Sequence, residues 1–170
     1  MADITKRRVD ELSEGRGRDL FVLCCAVHDV GKATPSFQVK NVELAALVVT
    51  AGLPLPRAAA KARWHHSHAG RAILEDYFDH LGLTGLGWVA VLVEGHHGRF
   101  DVQPFSRLGH GGAPWERVQF ELVEAVERLL GVRWAELSLT QPSRSLQLEM
   151  SGFMVMAAWI ASCDLVVGLG

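Results

Sequence analysis

Leu20-Phe21-Val22-Leu23-Cys24-Cys25-Ala26-Val27-His28-Asp29-Val30-Gly31-Lys32 decides how this chain is read. An unbroken apolar run enters His28-Asp29, and Gly31-Lys32 follow at once. A segment apolar on every side is a buried helix rather than a solvated one. The spacing predicts that helix over residues 20–30, with Asp19 as its N-cap and Gly31 as its stop. A histidine and a carboxylate at the end of such a helix are costly to bury unless something pairs with them. A divalent cation satisfies both, because imidazole nitrogen and carboxylate oxygen are its ordinary ligands. Lys32 adds an ammonium near the same point, as a phosphate clamp requires.

Working outward, periodicity predicts helices over residues 4–12, 42–51, 58–81, 115–130 and 145–167, while 88–94 is an apolar run too short to assign by period alone. The 58–81 pattern is interrupted near a histidine cluster, and Thr34 before Pro35 disfavours helix there. Residues 99–114, with Pro104 and Gly109, Gly111 and Gly112, read as a long loop. No segment alternates with the period of two that a half-buried strand requires, so the fold class is all-α.

The chain has 170 residues, 49% hydrophobic and 21% charged, which suits one globular domain over 1–170. Its formal charge of -2 gives no electrostatic argument for nucleic acid, although bound divalent ions would place positive charge where a phosphate sits. Cys24, Cys25 and Cys163 have neither zinc nor disulfide spacing and read as small core residues of a cytoplasmic protein. No signal peptide is evident, and the apolar stretch 152–170 carries Asp164 and reads as a buried central helix, not a membrane anchor.

Five of the eight histidines fall in two clusters, His65, His66, His68 and then His96, His97. The second pair is boxed between Gly95 and Gly98, which frees the backbone to aim both rings at one point. His80 and His110 lie outside every motif and read as surface residues.

These pieces resemble the HD nuclease domain of the CRISPR-associated nuclease-helicase of type I systems, within the HD phosphohydrolase superfamily. The resembling stretches are Ala26-Val27-His28-Asp29-Val30-Gly31-Lys32-Ala33-Thr34-Pro35-Ser36-Phe37-Gln38, His66-Ser67-His68-Ala69-Gly70, Gly95-His96-His97-Gly98-Arg99-Phe100, and Met156-Ala157-Ala158-Trp159-Ile160-Ala161-Ser162. The extension through Thr34-Pro35-Ser36-Phe37-Gln38 separates this branch from generic HD phosphohydrolases. The resemblance implies a compact helical HD-domain bundle with a metal site between central helices. It implies that Asp29 bridges two metals, that His66, His96 and His97 complete one site, and that His28 belongs to the other. Lys32 would contact the scissile phosphate or the metal-bound water. His65 and His68 would be bystanders, with His68 near the substrate alongside Lys32; Arg99 and Arg107, on the loop after the histidine pair, read either as contacts to a nucleic-acid backbone or as solvated loop arginines.

Two departures from the pattern stand out. The family's last helix carries an aspartate just before the tryptophan, and that position here is Ala158. Asp164 lies six residues on and faces elsewhere. Ala158 reads either as a knock-out or as natural degeneration. The family also has an N-terminal histidine, which in this chain would fall before residue 1.

The resemblance therefore implies a metal-dependent deoxyribonuclease acting on single-stranded DNA in type I CRISPR interference, impaired by the lost ligand at Ala158. The cation would be manganese, iron, cobalt or nickel, with magnesium possible, in one strong site and a second weak or empty one. A helicase module and the CRISPR surveillance complex (Cascade) are the implied partners. The helicase is expected as a separate or removed piece, since the chain ends after the last helix. The alternatives are an HD-type nucleotide or cyclic-nucleotide phosphohydrolase and an inactive HD scaffold.

Overall fold

The buried apolar rows of several helices meet in one core that includes Leu23, Ile73, Leu74, Val89, Leu92, Val123 and Met150, and this meeting point organises the protein. The computed structural model describes residues 2–62, 64–100, 109–137 and 139–161. Among them are eight α-helices and no strand: α1 (Ala2–Leu12), α2 (Gly17–Val27), α3 (Pro35–Gln38), α4 (Val42–Thr50), α5 (His66–His80), α6 (Gly87–Glu94), α7 (Ala113–Leu130) and α8 (Arg144–Ala161). Short 3-10 turns at Val30–Lys32, Ala59–Lys61, Gly95–His97 and Trp134–Glu136 connect them.

Each long helix buries one stripe. Leu20, Leu23, Cys24 and Val27 of α2 recur at helical spacing, as do Ile73, Leu74, Tyr77 and Phe78 of α5 and Leu146, Met150 and Met154 of α8. Helix α6 is buried over most of its length and packs against α5, α2 and α8. Two buried polar side chains of α7 tie distant segments together. Glu127 of α7 accepts from the Tyr77 hydroxyl at 2.8 Å and from the Trp134 N–H at 2.7 Å. Gln119 of α7 is fully buried, and its Nε2 donates to the Ala33 carbonyl at 2.8 Å and to the His110 carbonyl at 3.3 Å.

The Val30–Lys32 turn lies directly on α5. A Cβ on Gly31 would stand 1.8 Å from the His66 carbonyl oxygen and 2.4 Å from the Gly70 nitrogen. Main chain meets main chain there, and only glycine fits. This contact brings the residue before the turn, Asp29, to the first turn of α5.

Several expectations are corrected. Asp19 is not the N-cap of α2, which begins two residues earlier at Gly17; Asp19 sits in its first turn and accepts from Arg16 Nε at 2.8 Å. The helix ends at Val27 rather than at Gly31, because the His28 ring takes the Cys25 carbonyl and the chain then tightens into the 3-10 turn. His110 is buried, not a surface residue: the segment before α7 tucks inward, with Gly109 close to Ser36 and the His110 ring beside Trp64. His80 is exposed as expected. Helix α8 is not buried all round, since Phe153, Met156, Trp159 and Ile160 are exposed. Among the described residues no helix is long and apolar enough to cross a membrane.

Candidate metal centre

Three pieces of backbone deliver the site: the end of α2, the first turn of α5, and the 3-10 turn after α6. Beyond α2, His28 Nδ1–H donates to the Cys25 carbonyl at 2.7 Å. A carbonyl only accepts, so this bond fixes the tautomer and leaves the lone pair on Nε2, 3.3 Å from Asp29 Oδ2. Asp29 has φ -99° and ψ 9°, the sparsely populated bridge region that tight turns use. Its Oδ1 lies 3.3 Å from His66 Nε2 and 3.8 Å from His96 Nε2. Lys32 Nζ donates to its Oδ2 at 2.6 Å.

On the opposite wall, His96 Nδ1–H donates to the Val93 carbonyl at 2.6 Å, so its Nε2 also carries the lone pair. That Nε2 is 3.3 Å from His66 Nε2, and His97 Nε2 is 2.9 Å from the same atom. The two flanking glycines do different jobs. Gly98 has φ +73°, the left-handed conformation that turns the chain away after His97. Gly95 has an ordinary helical φ; it lacks a side chain because the Phe100 ring stands 2.3 Å from where its Cβ would be.

The electrostatics keep Asp29 ionised and draw His96, His65 and His97 toward their neutral forms, while His28 is drawn toward its protonated one. Burial pulls the Asp29 carboxyl up, but His28, His66 and Lys32 together outweigh it and hold the group well below the usual carboxylate range. Hydrogen bonding to Asp29 raises His28 above its ordinary value. Burial pushes His96 and His65 each down to about 4, with neighbouring imidazoles adding to the shift, and lowers His97 as well.

Donor atoms of Asp29, His66 and His96 lie within 4.8 Å of one another, and so do those of His65, His66 and His97. Of the expected ligands, Asp29, His66, His96 and His97 gather into two groups that share His66, and His65 joins them; His28 is in neither group, and its Nε2 is 3.3 Å from Asp29 Oδ2. The Nε2 lone pair of His96, the ionised Asp29 carboxylate and the His66 nitrogen converge at these distances, and nitrogen with one carboxylate is a donor set that suits a divalent transition ion.

Other residues take their places around this group. The His68 ring does not join it: its Nδ1 is 2.5 Å from Glu94 Oε1, and Arg71 Nη1 donates to Glu94 Oε2 at 3.0 Å. Glu94 is buried one residue before the histidine turn, and sequence reasoning missed it. It also missed Phe37, whose ring stands edge-on to His66 at 5.7 Å. Nearby, Thr34 Oγ1 donates to the Gly31 carbonyl at 2.9 Å and Gln38 Nε2 to the Lys32 carbonyl at 2.9 Å. The Thr34-to-Gln38 extension thus braces the Asp29 turn. Arg99 is exposed two residues beyond His97. Ala158 is half-buried on α8, which packs against the Gly95–His97 turn. Arg107, Cys163 and Asp164 lie outside the described residues.

Comparison with known proteins agrees with this geometry. Residues 1–167 match the family model described as "Cas3, HD domain". The chain is 28% identical over 177 aligned positions to the CRISPR-associated nuclease/helicase Cas3 of Streptococcus thermophilus, covering 88% of this chain and 18% of that protein. A solved structure titled "Crystal structure of CRISPR-associated protein" superposes with a TM-score of 0.79 at 26% identity, over 93% of this chain and 18% of that one. The chain thus spans under a fifth of the length of either relative. A helical bundle with His28-Asp29 packed onto His66 and the His96-His97 turn, matched almost end to end, places this chain in the Cas3 HD-domain family.

Proposed function

We propose that this domain hydrolyses phosphodiester bonds in DNA, preferring single strands, as the nuclease part of type I CRISPR interference. The observation that carries the reading is the convergence of Asp29, His66 and His96 donor atoms on one place, with His97 held against His66. A divalent transition cation, when bound, supplies Lewis acidity at a phosphate oxygen and makes water a nucleophile near neutral pH. Asp29, His66, His96 and His97 would hold it, and manganese, iron, cobalt and nickel suit their mixed donors, with magnesium also admissible. Lys32, partly exposed and paired with Asp29, is the group that contacts the scissile phosphate. His68 and Arg99 flank the approach of the strand. His97 and Arg99 are exposed, and a site open on this side suits a polymer backbone better than an enclosed nucleotide.

The second cation position is the weak one. Leu146, Met150 and Met154 form the buried row of α8, half-buried Ala158 lies four residues further on, and α8 packs against the histidine turn. A methyl group donates nothing, so His28 and the shared Asp29 are left without a third ligand. Two-cation chemistry clamps both attacking and leaving oxygens, so catalysis is impaired while the fold is not. In this reading a helicase module feeds the strand and the surveillance complex Cascade recruits both.

The test is cleavage of circular single-stranded DNA with manganese or nickel by wild type, A158D and D29N. A158D is expected to cut faster than wild type, and D29N not at all. Equal cutting by D29N and wild type would overturn the assignment. Hydrolysis of cyclic nucleotides by A158D with DNA left intact would move it to the nucleotide phosphohydrolases. Silence in every variant with the metal bound would leave a scaffold.

A further inference from the structure

We propose that His65, His66 and His97 form a nitrogen-only cation position beside the Asp29 group, and that zinc- or nickel-type ions take it in preference to manganese. The proposal rests on the reading of Asp29, His66 and His96 as a cation site, and it adds a ligand, His65, that this reading does not use.

The geometry carries it. Donor atoms of the three imidazoles lie within 4.8 Å of one another. The His65 ring stands 4.6 Å from the His66 ring and 5.2 Å from the His97 ring. His65 caps the N-terminus of α5, and its Nδ1 is 2.8 Å from the hydroxyl of the buried Ser67. Ligation needs the tautomer whose Nδ1–H donates to that hydroxyl, which gives up the longer 3.4 Å bond that Nδ1 otherwise accepts from the Ser67 N–H; Nε2 then keeps its lone pair, the outer-shell arrangement metal-ligating histidines commonly show. His65 and His97 are both exposed, so the position is open to ions in solution.

Ligand chemistry sets the preference. Three imidazoles without a carboxylate suit zinc, nickel and copper, whereas manganese and magnesium want oxygen. The two positions also compete. His66 Nε2 is 2.9 Å from His97 Nε2 and 3.3 Å from Asp29 Oδ1, and one nitrogen lone pair serves one ion at a time. An ion held by His65 and His97 therefore withdraws His66 from Asp29. Zinc should displace manganese from the protein instead of binding alongside it.

Titration of the whole metal-free chain with zinc and with manganese separates the possibilities. The variants are H65N, which keeps a capping side chain on α5, and D29N. H65N is expected to lose about tenfold or more in zinc affinity, the scale that even outer-shell changes reach, and to bind manganese like wild type. D29N is expected to lose manganese and keep zinc. Equal zinc affinity in H65N and wild type, with manganese still dependent on Asp29, would overturn this inference alone. Manganese binding untouched in D29N would overturn the underlying site. Zinc-soaked wild-type crystals give a check that needs no variant. An anomalous peak in coordination reach of His65 supports the proposal, and a peak confined between Asp29 and His96 defeats it.

Discussion

Around Gly31 and around Ala158 the protein approaches the same centre with opposite tolerances. At Gly31 the turn lies backbone-on-backbone against α5, so the separation of Asp29 from His66 is set by main-chain contact. On α8 the approach is through side chains: Ala158 is half-buried, Met156, Trp159 and Ile160 beside it are exposed, and a Cβ on Gly152 would meet nothing within 4 Å. One wall cannot change without moving a helix, while the other can exchange a ligand for a methyl and leave the fold as it was. That difference would let the position proposed at Ala158 lose a ligand while the group around Asp29 keeps its geometry.

The largest effect should come from removing the group both walls converge on. D29N is expected to lower manganese affinity by at least roughly 100-fold while thermal unfolding remains cooperative; calorimetric titration beside a melting curve measures both. Next comes G31A, which should cost about 3 kcal/mol or more by forcing apart the turn and α5. Urea unfolding reads the loss, and manganese affinity should fall with it, because Asp29 moves with the turn. A G31A protein of wild-type stability would break the comparison at its root.

Acid should weaken the histidine wall more gradually. His96 is lowered to about 4 in the folded protein against an ordinary value of 6.5, so between those limits the unfolded chain binds the extra proton. Stability is then complete above about 6.5 and declines as pH falls toward 4, by on the order of 3 kcal/mol at most from this residue. Melting of metal-free protein across that window should show the decline, and H96Q should flatten it. At the tolerant wall, A158D should shift stability by no more than about 1 kcal/mol. The smallest change expected is a gain, about 0.5–1 kcal/mol for G152A, from replacing an unpacked helical glycine.

The same contrast explains what could be read in advance. Apolar periodicity marks the long helices, and the unbroken run into His28-Asp29 marks the first wall, because both are properties of neighbours in sequence. What escaped was set by partners far along the chain. Gly31 can be named as a helix stop from its own neighbourhood, but its true constraint is the carbonyl of His66. Nothing near His110 betrays that it is buried beside Trp64. Gly95 and Gly98 look alike in sequence, yet one yields to the Phe100 ring and the other to a left-handed turn. His65 was passed over because its neighbour matched a motif better; only the ring spacing sets it beside His97.

Gln119 has a consequence of its own. From the middle of α7 its amide grips two carbonyls, Ala33 just past Lys32 and His110 at the far side of the segment that follows the histidine pair. One side chain thus couples the main chain beside Lys32 to the start of α7, so displacing either is resisted by both.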